Sequence, residues 1–116
     1  MNQEIKEEWI KDLESGDYTQ ATGALRKGDG YCCLGVLCEQ YKRKHPEVEW
    51  ESDGGGNYIF LGAGGFLPTQ VREWAKIRST NGAYEIEDQG VCSDLATRND
   101  EGSTFNDIAE LIRRHF

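Results

Sequence analysis

Two polar segments of this chain carry side chains suited to holding a small ligand. The first runs through Tyr18, Thr19, Gln20, Thr22, Arg26 and Lys27, just ahead of an apolar stretch that reads as a helix. The second, Arg98, Asn99 and Asp100, lies just ahead of the last helix. A helix N-terminus presents unpaired N–H groups and the positive end of the dipole, which suits an anion. If the two segments meet over the central helix, they form a donor-rich cleft floored by Cys32 or Cys33. A small polar or nucleotide-type ligand fits that chemistry, with Arg26 or Arg98 on phosphate, Asn99 and Gln20 on base edges, and Tyr18 stacking. The expected ligand-binding set is therefore Tyr18, Gln20, Thr22, Arg26, Arg98, Asn99 and Asp100. The same residue types also cap helices and close turns without any ligand, so convergence of the two segments decides what they do.

Other chemistries find less support. Cys33, near a helix start, would need a neighbouring base to act as a nucleophile, and the only histidines, His45 and His115, sit at helix ends beside basic residues. The intervals between Cys32, Cys33, Cys38 and Cys92 do not match paired zinc-ligand spacing. They read as small buried hydrophobes, and no metal or cofactor is expected. Gly54–Gly56 and Gly62–Gly65 lack the Lys-Ser/Thr of a phosphate loop and read as turns. An EF-hand alignment on Gly102 puts Ile108 where a bidentate glutamate belongs.

A different class of function is open to the carboxylates. Glu85, Glu87, Asp88, Asp94, Asp100 and Glu101 face Arg98 alone, and Glu47, Glu49 and Glu51 alternate along one segment. Such a face could imitate a phosphate track and block a host protein. A solvated acidic surface is the simpler role.

The 116 residues suit one domain. With 21 carboxylates against 13 Lys and Arg the formal charge is −8, which opposes direct nucleic-acid binding because affinity there comes from displacing phosphate counterions. A local basic pocket for a small anion remains compatible, since a diffuse field is screened within ~8 Å. No apolar run approaches the ~20 residues needed to span a bilayer, and Glu4, Glu7 and Glu8 stand where an export signal would be basic and then apolar. A cytoplasmic protein is expected.

The positioning elements follow from periodicity. Ile5, Trp9 and Leu13, widened by Ile10, predict a helix over Gln3–Glu14, stopped by Ser15-Gly16. Leu34, Leu37, Cys38 and Tyr41 predict a central helix over Tyr31–Lys44, ended by His45-Pro46. Gly35 inside it costs about 1 kcal/mol against alanine, which implies close approach of another backbone. Val48 and Trp50 alternate with glutamates as a half-buried strand does, returning through Tyr58–Leu61. Leu67-Pro68 opens a third helix with Pro68 at its first position, Ala83–Glu87 reads as a strand, and Gly90–Arg98 is ambiguous. A last helix begins near Ser103 or Thr104 with a partial capping box. Four helices on a small, mainly antiparallel sheet make an α+β domain.

Trp9, Leu13, Ser15-Gly16, Tyr18, Gln20, Gly23, Leu25, the run Tyr31–Cys38, Leu67-Pro68, Trp74, Asn99-Asp100, Gly102, Phe105 and Ile108-Ala109 resemble a pattern shared by short proteins of bacteriophage and prophage genomes. The resemblance spans nearly the whole chain and is most specific in the cysteine run. It implies a phage accessory protein, active in the host cytoplasm against defence or physiology by binding, as phage proteins that sequester nucleotide signals do. It implies no particular activity.

Overall fold

The computed structural model describes residues 1–86 and 91–116. Helix α1 (Gln3–Glu14) has the predicted bounds. The Asn2 side chain caps it by accepting from the Ile5 N–H at 3.0 Å, and Gly16 takes a left-handed φ of +79° just past its end. Its apolar stripe buries Trp9, Ile10 and Leu13 against two helices, α2 (Cys33–Lys44) and the C-terminal α5 (Phe105–His115).

Helix α2 is the pillar of the core, with every residue from Cys33 to Cys38 buried. It starts two residues later than periodicity predicts. Tyr31 belongs to a strand, and Cys32 is the cap, its sulfur accepting from the Gly35 N–H at 3.4 Å. Trp9 clamps the first turn from α1, its indole N–H donating to the Cys33 carbonyl at 2.9 Å.

Five short strands form a sheet beside α2: β1 (Thr19–Gln20), β2 (Arg26–Lys27), β3 (Gly30–Tyr31), β4 (Glu51–Ser52) and β5 (Asn57–Ile59). Their order is β1-β3-β2-β5-β4, with β1 and β3 parallel and the other pairs antiparallel. Residues 47–50 are not a strand. Val48 N–H turns back to the His45 carbonyl at 3.0 Å, and Trp50 is drawn to α2 by its indole N–H bond to Glu39 at 2.9 Å.

Pro68 is the cap of the short helix α3 (Thr69–Ala75), one position before its predicted place. A separate antiparallel pair, β6 (Ala83–Ile86) with β7 (Val91–Asp94), leads directly into α4 (Leu95–Asp100). This last element brings the helices to five among the described residues, and it resolves the segment that periodicity left ambiguous. Asp94 caps it, accepting from Thr97 N–H at 2.8 Å. Thr104 and Asp107 complete a capping box at the start of α5. Gly90 and two acidic residues singled out above, Glu87 and Asp88, lie outside the described residues. The architecture is α+β. No helix among the described residues is long and apolar enough to cross a membrane.

Candidate functional site

The two polar segments do meet. Gln20 Nε2 donates to Asn99 Oδ1 at 2.9 Å and to the Ser103 carbonyl at 2.7 Å, and Gly23 N–H donates to Asp100 Oδ1 at 3.0 Å. Asn99 is 1% exposed. Its amide donates to the Ala21 carbonyl at 2.8 Å, while its oxygen also accepts from the Cys33 N–H at 3.2 Å. The start of α2 is thus capped by protein acceptors, Asn99 on Cys33 and the Cys32 sulfur on Gly35. Gln20, Asn99 and Asp100 are brought together, and they bond to one another and to backbone across the junction.

The remaining predicted residues take no part in this network. Thr22 is exposed. Tyr18 accepts from Arg43 at 2.9 Å, and that guanidinium also pairs with Asp12 at 2.6 Å and Glu8 at 3.3 Å. Arg26 lies over the Tyr58 ring, 4.1 Å from its centroid. Arg98 donates from Nε to the Tyr84 hydroxyl at 3.2 Å, which holds its guanidinium further on the protonated side.

Burial pushes the Cys32 thiol up to about 11 and raises Cys33 and Cys38 well above their ordinary range. Cys33 donates to the Leu95 carbonyl at 3.6 Å. These three thiols are packing groups held protonated at neutral pH. Cys92 is exposed.

A concavity of about 710 Å³ opens on another side of the molecule, and sequence spacing gave no sign of it. Five separated segments build its wall. Met1 precedes α1, Lys76, Ile77, Arg78 and Ser79 come from the turn after α3, Ala83, Tyr84 and Glu85 from β6, Cys92 from β7, and Arg114, His115 and Phe116 from the end of α5. Lys76 ends α3 in the left-handed region at φ +59°, uncommon for a residue with a side chain. That turn carries the chain from the helix into the groove wall. Ser79 braces β6, its hydroxyl accepting from Ala83 N–H at 2.8 Å. The Tyr84 and His115 rings stack with centroids 4.7 Å apart, and Arg98 reaches the same tyrosine from α4.

The electrostatics of this groove oppose those of the chain. Lys76, Arg78 and Arg114 face the single carboxylate of Glu85 among its lining side chains, in a protein of formal charge −8. A concave wall with an excess of one sign focuses the field and concentrates counter-ions. Cations beside a stacked tyrosine–imidazole pair are what a phosphate-bearing, ring-containing ligand needs.

A family model for a domain of unknown function (DUF8296) matches residues 1–116. No curated protein and no solved structure matches the chain.

Proposed function

We propose that the chain, which belongs to the DUF8296 family, works by binding and takes a small phosphate-bearing ligand of nucleotide type in the groove between α3, β6 and the end of α5. The observation that carries this is the concentration of Lys76, Arg78 and Arg114 in one concavity of an otherwise acidic protein. Phosphate sits among these cations. The ligand's ring lies against His115, whose other face is backed by Tyr84, and Glu85 accepts from a donor on the ring or sugar.

The groove's cations, taken with the sequence resemblance to phage proteins, support the role of an accessory protein that holds a host nucleotide signal away from its receptor. The alternative, an acidic face that inhibits a host protein, would draw on Glu47, Glu49, Glu51, Glu85, Asp94, Asp100 and Glu101, of which Asp94 and Asp100 are already bonded to Thr97 and Gly23.

Calorimetry with nucleoside mono-, di- and triphosphates and cyclic dinucleotides tests the proposal. At least one binds, and Arg114→Ala and Arg78→Ala each weaken it about tenfold or more, the loss of one charge-assisted bond. Full affinity in both variants would move the site elsewhere, and no binding across the panel would end the proposal.

A further inference from the structure

We propose that Arg26 is a second, independent anion site, a guanidinium fork on the face of the five-stranded sheet that takes the carboxylate or phosphate group of a small molecule. The register builds it. Arg26 is the cross-strand partner of Tyr31 on β3 and of Tyr58 on β5, so the three side chains stand in one row on one face. The guanidinium carbon lies 4.1 Å from the Tyr58 centroid, 5.5 Å from that of Tyr31 and 5.7 Å from that of Trp50. Nε donates to the Gly28 carbonyl at 2.9 Å. The plane is therefore held on both counts, by rings and by a backbone acceptor.

What this arrangement leaves open is the outer edge of the fork. Ring faces stabilise the charge but accept no strong hydrogen bond from the terminal N–H groups, and among the described residues Nη1 and Nη2 have no partner. Arg43, Arg72 and Arg113 have carboxylate partners, whereas Arg26, like Arg78, Arg98 and Arg114, has none among the described residues. Glu39, the carboxylate within this cluster, uses one oxygen on Tyr31 and the other on the Trp50 indole, at 3.2 and 2.9 Å. A planar fork already immobilised loses little freedom on binding, and its geometry matches two oxygens of one carboxylate or phosphate. The half-buried Tyr58 and Trp50 rings beside it favour an oxyanion carried on an apolar or aromatic body.

Because Nε–H is bonded to Gly28, its NMR resonance is a direct reporter. Phenyl phosphate and benzoate are titrated into the full chain while the Arg26 Nε–Hε signal is followed. A saturable shift with either probe supports the site, and the tighter probe identifies the preferred group. Arg26→Lys keeps the charge but loses the fork, so it weakens binding about tenfold; Tyr58→Leu removes the brace and weakens it as well. Arg114→Ala, in the groove, leaves the titration unchanged. A signal that does not move with either probe overturns the proposal, as does undiminished affinity in both Arg26→Lys and Tyr58→Leu. Neither result bears on the groove.

Discussion

The carbonyl oxygen of Leu25 lies 1.9 Å from the point where a β-carbon on Gly35 would stand. The backbone just before β2 is pressed directly onto α2, and the Cys32 N–H donates back to that same oxygen at 3.1 Å. Gly35→Ala gains helix propensity of about 1 kcal/mol, yet it must drive two fully buried segments apart. Net destabilisation of about 3 kcal/mol or more is expected from overpacking of this kind, read as a lowered midpoint in urea. An unchanged midpoint would mean that the two backbones are not in contact.

Asn99 holds the junction of the two polar segments. Asn99→Ala leaves the buried Cys33 N–H and the part-buried Ala21 carbonyl without their partner, a cost of about 2 to 3 kcal/mol. Ligand affinity of the folded fraction is expected to stay at the wild-type value, because Asn99 does not line the groove. A loss of affinity with stability intact would place the ligand at the junction.

How far this was legible varies by element. Helix α1 was readable to the residue because Ile5, Trp9 and Leu13 keep one face and Ser15-Gly16 stops it. The start of α2 was not, since the apolar run continues through Tyr31 and Cys32, and only strand pairing with β1 and β2 takes Tyr31 out of the helix. Alternation over 47–50 mimicked a strand that begins only at Glu51 and pairs with β5, and Trp50 alternates because it reaches back to Glu39. The meeting of Gln20 with Asn99 is a condition the sequence poses without deciding, because it depends on distances no spacing encodes and Asn99 lies inside α4 rather than in a loop ahead of the last helix. The groove was hidden for a plainer reason: Arg114 lies far along the chain from Lys76 and Tyr84 and becomes their neighbour only in the fold. Asp94, with Thr97 three residues on, was the available signal for α4.

Burial should divide the thiols sharply. Iodoacetamide at neutral pH is expected to add one adduct to the native protein, on exposed Cys92, while buried Cys32, Cys33 and Cys38 resist. Peptide mass spectrometry reads the site, and rapid labelling of Cys33 would contradict the account of α2.

The same burial sets an alkaline limit. In the unfolded chain a thiol ionises from about pH 8.5, whereas Cys32 keeps its proton up to about 11, and burial holds Cys33 and Cys38 well above their ordinary range too. The folded state then binds more protons than the unfolded one, so this stability is fully present below about pH 8.5 and is lost as pH rises through the folded values. Tyr31, pushed up to about 12 by burial and then by the Glu39 carboxylate, acts in the same sense at higher pH. Urea midpoints should be level from about pH 7 to 8 and fall above that, with a shallower fall in Cys38→Ala. Equal slopes in the two proteins would remove Cys38 as a contributor.

Backbone ¹⁵N NMR during titration with the tightest nucleotide is the most direct measurement of the central claim. Binding in the groove predicts saturable shifts at Ile77, Ser79, Tyr84 and His115, with Gly23, Asp100 and Ser103 unmoved. Shifts confined to Gly23, Asp100 and Ser103, or no shift at any of these seven, would contradict it.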